Sequence, residues 1–529
     1  MNDSGDQVEK QEADDSDTQV SSHDSQDADP ETWTALGLSR FQEVAFASSL
    51  LMTQFFAQAG LGQTLSILKA ISASFHITNP GELSWLIAGY SLTIGSCILL
   101  SGRLGDYFGH KPLFIAGLVW YMLWTIISGV SIYASQCLFI ASRVFCGIGP
   151  SMCIPNALAI LGRAYPPGLK KNILFSLYGG LTPVGVIGGA TISALFAEFV
   201  WWPWSYWLIG CITAAVALCS YFAVPSSQSH YESFQPRPSL RDILWATDVP
   251  AGAVGIAALV FFNLAWNQAV VVGWATPYIP VFLVMGILFA ITFFYIEINI
   301  SPSPLIPFSI LTGDVAFVLA CVAAAWGGFG AYVYYFWTTM LMVTETPPLL
   351  ASAGFSPPIP VGLGTAVMTG YLVARVHPAM LMVMAEACVL AACLLLATFP
   401  PGQTYWAQLF PSLIFAPLGL DMSFPAAILV MSNAMGKEHQ GMAMSLVNTI
   451  VNYSISLSLG IAGTIEQQVT KTRPEDPATV LFGYHSTEYF SCGIVAFGLL
   501  LSLIFVWRAR GESSLRMSQN RDDIERTEP

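Results

Sequence analysis

Three ionisable side chains lie inside long apolar stretches of the sequence: Arg143, Glu386 and Asp421. A charge at the centre of a membrane costs at least about 3 kcal/mol, so each side chain should face a polar cavity or a partner. A carboxyl group in such a place can bind and release a proton, and a guanidinium can contact a proton path or a substrate. Asp421 also lies shortly before Pro425, which predicts a kink in its helix.

These side chains, and the polar residues near them, also have structural interpretations. Arg143 would then donate hydrogen bonds to helix carbonyls, and Glu386 would have a structural or interface role. Because residues four apart share a helix face, two uncharged pairs are further candidates for the proton or substrate path. Hydrogen bonds between helices are their commoner meaning. The pairs are Gln54 with Gln58 and Asn448 with Asn452.

The elements that must position these side chains are apolar segments of membrane-spanning length. The chain of 529 residues is 54% hydrophobic and 10% charged, whereas a soluble protein carries about 25% charged residues. Segments of about 20 apolar residues can cross a bilayer core. We therefore expect an all-α polytopic membrane protein with fourteen transmembrane helices. The segments lie near residues 43–68, 83–102, 113–133, 137–162, 172–198, 205–223, 251–271, 277–297, 315–342, 357–375, 378–398, 404–433, 440–465 and 486–508.

Basic residues predict the orientation of the segments, because Lys and Arg concentrate in cytoplasmic loops. With a cytoplasmic N-terminus, the basic residues between segments fall in cytoplasmic loops or at their edges, except Lys69, Lys471 and Arg473. An odd number of segments would move many of them to the wrong side. We therefore expect both termini in the cytoplasm.

The acidity of the chain is concentrated in its N-terminal tail. Residues 1–40 hold 11 acidic against 2 basic side chains, which supplies −9 of the net charge of −13. A polar, acidic stretch of this kind cannot bury a core and gives no indication of nucleic-acid binding. The predicted organisation is a disordered acidic cytoplasmic tail (1–41), a six-helix bundle (42–223), a cytoplasmic linker (224–250), two inserted helices (251–311), a second six-helix bundle (312–510) and a cytoplasmic tail (511–529).

An internal repeat supports this division. Gly149-Pro-Ser-Met-Cys-Ile-Pro-Asn-Ala157 in segment four is echoed by Gly419-Leu-Asp-Met-Ser-Phe-Pro-Ala-Ala427 in segment twelve. The loop GRLGDYFGHKP after segment two is echoed more weakly by GYLVARVHP after segment ten. Both echoes pair a segment with the one eight places later, which two six-helix bundles separated by two inserted helices require.

The loop after segment two also carries a family motif. It resembles the major facilitator superfamily signature G-x-L-x-D-x-x-G-x-K, with Gly102, Leu104, Asp106, Gly109 and Lys111 in register. The resemblance implies two pseudo-repeated six-helix bundles that transport by alternating access. It also implies that these residues form a conformational latch.

The resemblance extends the latch and adds two motifs. Asp106 would bond the N–H groups at the start of segment thirteen, near residue 440. In segment four, Arg143 matches the superfamily motif R-x-x-Q-G, with cysteine at the glutamine position. The stretch GGLTPVGVIGGAT in segment five resembles the antiporter signature G-P-x-x-G-G, with a wider spacing. The antiporter-like residues are Pro183, Gly185, Gly188 and Gly189.

The resemblance is closest to the fourteen-spanner drug:proton antiporters. Stretches such as GELSWLIAGYSLTIG and SLVNTIVNYSIS look like a fungal subgroup with aminotriazole-resistance, boron-export and low-affinity ammonium-transport proteins. This implies an efflux pump for a small organic molecule, such as a drug, toxin or secondary metabolite, with Asp421 on a cavity-lining helix. The energy source would be the proton gradient, with no cofactor. The alternatives are a facilitator or coupled transporter of ammonium or borate, and a transporter-like nutrient sensor.

Other classes of protein fit less well. The sequence has no nucleotide-binding P-loop, metal-ligand cluster or nucleophile constellation, so we do not expect an enzyme or an ATP-driven pump. The expected partners are a small-molecule substrate, protons and the lipid bilayer, with no nucleic acid, and we expect a monomer. The expected location is the plasma membrane, with the vacuolar membrane as the alternative.

Overall fold

The computed structural model describes residues 34–77, 79–166, 168–225, 239–306, 313–373, 375–434, 440–474 and 476–527. In these residues the regular structure is helical, as expected for an all-α protein. Residues 1–33 of the predicted tail and 226–238 of the predicted linker lie outside them. The helices are α1 (Arg40–Leu65), α2 (Leu68–Phe75), α3 (Pro80–Phe108), α4 (His110–Val130), α5 (Gln136–Cys146), α6 (Ile148–Ala164), α7 (Leu169–Phe199), α8 (Pro203–Ala223), α9 (Leu240–Ala246), α10 (Val249–Val272), α11 (Tyr278–Asn299), α12 (Gly313–Thr338), α13 (Pro348–Gly354), α14 (Pro358–Val373), α15 (Pro378–Ala397), α16 (Leu409–Ala434), α17 (Gln440–Thr470) and α18 (Pro477–Thr527).

Thirteen stretches of the described chain are long and apolar enough to cross a membrane. They correspond to thirteen of the fourteen predicted segments. The remaining one is α14, which at 16 residues is shorter than the others and follows the short helix α13. Segment four is divided at Gly147 between α5 and α6. A Cβ at Gly147 would overlap Thr93 and the carbonyl of Tyr90, so the chain passes close to α3 at this point.

The last helix extends into the predicted C-terminal tail. The helix of the last segment begins at Pro477 and continues to Thr527, beyond the predicted start of the tail at residue 511. The stretch ESSLRMSQNRDDIERT contains no Gly or Pro, so nothing in it breaks a helix.

Local sequence explains where several helices begin. Ser39 and Gln42 form a capping box at α1, with the Ser39 hydroxyl accepting from the Gln42 amide. Asn79 caps α3 directly before Pro80, and Ser135 caps α5. These side chains bind amide groups that have no partner within the first turn of a helix.

The inserted helices lie against both six-helix bundles. The first of them, α10, packs on α3 and α17, and α11 packs on α10. A buried polar network joins α10 to both neighbours. In it, Asn267 donates to Asn263 (2.8 Å), and the Ser456 hydroxyl contacts Asn263 (3.0 Å) and the carbonyl of Ala88 (2.7 Å). The insertion is therefore fixed to the line along which the two bundles meet.

The internal repeat has a counterpart in the packing. A Cβ at Gly149 of α6 would overlap Gly117 and Tyr121 of α4, and a Cβ at Gly419 of α16 would overlap Ala385 and Val389 of α15. Each glycine thus brings segment four or twelve close to the segment before it. The two bundles use equivalent positions for equivalent contacts.

Glycines also bring α7 very close to α1. A Cβ at Gly189 would overlap the backbone of Ala59, and a Cβ at Gly185 would overlap the carbonyl of Phe55. Gly179, on the same helix, has nothing within 4 Å of the equivalent point. The α1–α7 contact therefore depends on particular glycines of the antiporter-like motif.

We expect Gly189→Ala to lower the thermal stability of the detergent-solubilised protein, because the added methyl group forces α1 and α7 apart. Overpacking of this kind costs about 1–3 kcal/mol. Gly179→Ala is the matched control, and alanine in an open helical position should be neutral or stabilise by up to about 1 kcal/mol. Equal melting temperatures for the two variants would contradict the close packing.

Candidate functional site

The predicted hinge lies between α3 and α4 and is shaped by glycines. Gly109 ends α3 and precedes α4 with φ of +95°, a conformation that other residues rarely adopt. A Cβ at Gly105 would overlap the buried Asn156 of α6, and a Cβ at Gly102 would lie 3.1 Å from the Ser445 hydroxyl of α17. We call this side of the protein, where α3 ends, the hinge end.

Asp106 lies at the surface of the hinge end, beside an arginine and a histidine. Its carboxylate is 3.4 Å from Arg163 of α6 and 3.4 Å from His110 of α4. His110 is buried and hydrogen-bonded to Asn156 (2.8 Å). The side chains of Asp106 and Arg163 are 58% and 64% exposed, so their pair contributes little to stability. Such a contact can break at small cost, as a latch requires.

A small cavity lies beside Asp106, between the hinge and the first turns of α17. Gly102, Asp106, Met442, Ser445 and Leu305 are among its lining residues. The predicted contact of Asp106 with the start of segment thirteen therefore spans this cavity. Lys111, the last signature residue, lies 5.5 Å from the centre of the Tyr221 ring of α8. The hinge and the first turns of α17 line the same cavity. The latch remains a prediction.

Arg143 is completely buried inside the first bundle. Its guanidinium lies over the ring of Tyr90 of α3 (4.6 Å) and near that of Tyr206 of α8 (5.9 Å). Its Nη2 group donates to the carbonyl of Gly60 in α1. Its Nε and Nη1 atoms have no hydrogen-bond partner among the described residues. These are the contacts of the structural interpretation, and a role in the proton path remains a prediction.

The antiporter-like stretch forms two different contacts. Gly185, Gly188 and Gly189 face α1 within the first bundle, where Gln54 also donates to Thr182 (2.7 Å). Gln58 lies beside Gly185 on the same face. Pro183 instead faces Gly362 of α14, across the line between the two bundles. The motif thus serves packing inside one bundle and contact with the other.

Asp421 lies in α16 and points at α14. One carboxylate oxygen is 2.9 Å from where a Cβ of Gly362 would be, so the missing side chain leaves room for it. Pro183 of α7 approaches the same point to 3.3 Å. The side chain is half-buried, and no described residue forms a hydrogen bond or ion pair with it. Asp421 is therefore an uncompensated acid at the contact between the bundles.

Glu386 lies elsewhere in the second bundle. It is buried in α15 against Gly498 of α18, and neither of its oxygens has a hydrogen-bond partner among the described residues. This position on outer helices fits the interface alternative better than the proton path. Sequence reasoning passed over two similar acids: Glu488 of α18, which is buried without a described partner, and Glu466 of α17, which accepts from the Tyr335 hydroxyl (2.8 Å). Both acids lie close to polar residues at helix ends, so the sequence did not indicate that they are buried.

The asparagine pair of segment thirteen bonds its own helix. Asn448 donates to the carbonyl of Met444 (2.9 Å), and Asn452 donates to that of Asn448 (3.0 Å). Both side chains are half-buried. Asn452 also lies where α3 approaches α17 at Gly95. Among the described residues the pair forms no hydrogen bond to a second helix, so its part in a substrate path stays a prediction.

The aromatic residues of segment nine divide into two groups. Tyr332, Tyr334, Tyr335 and Trp337 are at most 3% exposed and belong to the core. Trp326 is half-buried and donates to the Ser423 hydroxyl of α16 (3.2 Å), two residues from Asp421. Packing therefore explains most of the aromatic stretch, and Trp326 alone among these five is partly open.

Comparison with known proteins agrees with this geometry. A family model for the Major Facilitator Superfamily matches residues 50–459. A low affinity ammonium transporter of Saccharomyces cerevisiae is 44% identical over 91% of this chain and 92% of its own. An efflux pump of Aspergillus terreus, terG, is 39% identical over 90% of this chain and 89% of its own.

A solved structure shows the same fold. The crystal structure of a peptide transporter in complex with sulfate superposes with a TM-score of 0.61 over 88% of this chain and 94% of its own. At 15% sequence identity this likeness concerns the fold and carries no information on substrate.

We expect Arg143→Lys to lower the thermal stability by about 1–3 kcal/mol, because lysine keeps a buried charge but loses the planar group that covers Tyr90 and Tyr206. The melting temperature of the solubilised protein measures the effect. Arg163→Lys is the control, since the same change at an exposed arginine should shift stability by at most about 0.5 kcal/mol. A stable Arg143→Lys protein would contradict the importance of the ring contacts.

Proposed function

The chain belongs to the major facilitator superfamily of membrane transporters, and on that basis we propose that it exports a small organic molecule in exchange for protons. The observation that supports the proposal is the position of Asp421, whose side chain extends from α16 towards α14, where Pro183 of α7 also approaches. It is a half-buried acid without a described partner, at the place where the two bundles touch.

The chemistry of this position suits reversible protonation. A carboxylate inside a membrane is costly unless it is paired, hydrated or protonated. When the contact between α14 and α7 is closed, Asp421 is stable as a neutral acid. When the bundles separate on one side, water reaches the group and it can release its proton. Protonation would thus follow which side of the transporter is open, as coupled exchange requires.

The remaining features of the proposal concern direction and place. We propose that the hinge end faces the cytosol, with both termini on that side, because the basic residues between helices concentrate there. The efflux pump among the relatives supports export of an organic molecule. The partly open Trp326, which bonds Ser423 on the same helix as Asp421, would offer such a molecule an aromatic surface. We further propose a monomer in the plasma membrane, with the vacuolar membrane as the alternative.

A second candidate function is transport of ammonium. The low affinity ammonium transporter shares 44% of the aligned residues, a higher identity than that of the efflux pump. A small cation would need less space than a drug, and Asp421 would then contact the substrate itself. Direct flux measurements separate the two functions.

We expect Asp421→Asn to abolish proton-driven flux, because asparagine keeps the shape but cannot bind and release a proton. Sealed vesicles with an imposed proton gradient would be tested with amphiphilic dyes, borate and ammonium. The mutant should lose gradient-driven accumulation and keep exchange of the solute down its own gradient. Glu345→Gln removes an exposed carboxylate from the same bundle and should behave as wild type.

Three outcomes distinguish the proposals. Wild-type accumulation of a dye with the gradient, lost in Asp421→Asn, supports proton-coupled export. Flux of ammonium without dye transport supports the second candidate. Equal flux with and without the gradient would refute proton coupling and leave a facilitator.

A second prediction tests the environment of Asp421 without changing its charge. Gly362→Ala places a methyl group against the carboxylate and against Pro183, so we expect the pH dependence of transport to shift and the rate to fall about tenfold or more. Gly364→Ala is the matched control on α14, because nothing lies within 4 Å of its Cβ position. Equal pH profiles and rates for the two variants would argue against a role for this contact.

A further inference from the structure

A second pair of acids lies outside the transport site, at the hinge end of the inserted helices. Asp248 precedes α10 and is completely buried, and Glu297 in the last turn of α11 is 3% exposed. The two carboxyl groups face each other within hydrogen-bonding reach. Two facing carboxylates cannot both stay ionised in a buried place without large cost.

The two acids have different hydrogen-bond partners. Glu297 accepts from the backbone amides of Leu305 (3.3 Å) and Ile306 (3.2 Å), which is suited to an ionised carboxylate. Asp248 accepts from the Ser301 hydroxyl (2.8 Å) through Oδ2, and its Oδ1 atom has no described partner. One proton shared by the pair would give this buried oxygen a partner in Glu297.

Both acids hold one loop, residues 301–306, which follows α11. Ser301 is bonded to Asp248, and the amides of Leu305 and Ile306 are bonded to Glu297. From α3, the guanidinium of Arg103 contacts the carbonyl of Ser303 at 3.4 Å. The charged side chains of the neighbouring α9, Arg241 and Asp242, are exposed, and the hydroxyl and amide of Ser239 lower the pKa of Asp242.

The loop reaches the space beside the latch. Leu305 is buried and lines the same cavity as Gly102, Asp106 and Ser445. Gly252 of α10 leaves room for Leu305 and for Leu100 of α3. The loop therefore fills part of the gap between the first bundle and α17. Separation of the bundles at the hinge end requires this loop to move.

We propose that Asp248 and Glu297 form a proton-binding site that fastens the 301–306 loop across the hinge end. With one proton shared between the acids, the loop is held by both carboxyl groups. When that proton leaves the pair for the solvent, two negative charges face each other and the loop is released. The site is separate from Asp421 and does not depend on the substrate or on the direction of transport.

Hydrogen exchange of the loop amides measures the fastening directly. Pro302 and Pro304 have no amide, so a peptide over the loop reports four amides, of which those of Leu305 and Ile306 are bonded to Glu297. For the full-length protein in nanodiscs, we expect the protection factor, corrected for intrinsic exchange, to fall roughly tenfold or more between about pH 5.5 and about pH 8.5. The sign follows from linkage, since the fastened loop binds one proton more than the released loop.

Three variants give the proposal its sharpest test. Asp248→Asn imitates the protonated acid and tolerates the φ of +53° at this position, so its loop should stay protected at every pH. Glu297→Gln loses one acceptor for the backbone amides, so its loop should exchange faster at every pH. Asp242→Asn is the control, an exposed acid nearby whose removal should leave the wild-type pH dependence.

Each result decides the matter. A wild-type loop with constant protection, or an Asp248→Asn loop that still responds to pH, would overturn the proposal. The wild-type titration alone decides it if Asp248→Asn fails to fold. The same pH response in an Asp421→Asn background shows that the site is independent of the proposed proton coupling, and its loss there would overturn the claim of a separate site.

Discussion

A charge inside a membrane is stable only where a partner, a proton or water compensates it, and this protein meets that requirement in different ways at different depths. Arg143 lies between two tyrosine rings and donates to a backbone carbonyl. Glu386 and Glu488 are enclosed by apolar helices without a described partner, which is compatible with neutral acids. Asp421 is only half-buried and lies where the two bundles touch. The position of a charged group relative to the contact between the bundles therefore distinguishes a structural group from a candidate functional group.

Glycine makes these positions available. In lipid there is little hydrophobic gain from joining two helices, so close packing through small residues has to supply it. Gly189 lets α1 and α7 touch within the first bundle, whereas Gly362 leaves a space on α14 that the Asp421 carboxylate fills. The same residue type thus fixes one contact and opens room for an acid at another. Gly109, with its positive φ, turns the chain from α3 into α4 and so presents Asp106 at the surface.

The inserted helices contact both six-helix bundles and reach the hinge. The network of Asn263, Asn267 and Ser456 attaches α10 to both bundles, and the loop after α11 continues to the cavity beside the hinge. An insertion that served only to anchor the protein in lipid would need no buried polar network and no acids at its end. The proposed proton-binding pair would use these contacts to fasten the loop across the hinge end.

The sequence by itself determined the apolar segments, their pairing across an offset of eight and the family, because hydrophobic length and the motif around Asp106 are local features of the chain. It also identified Asp421 as the acid to examine. Tertiary structure decided what each candidate contacts. Arg143 contacts a backbone carbonyl and two tyrosine rings. The antiporter-like motif contacts α1 through its glycines and α14 through Pro183. The Asp248–Glu297 pair brings together a residue before α10 and a residue of α11. The reason is that a hydropathy pattern gives the depth of a residue, whereas its neighbours are set by helix rotation and by the side chains of other helices.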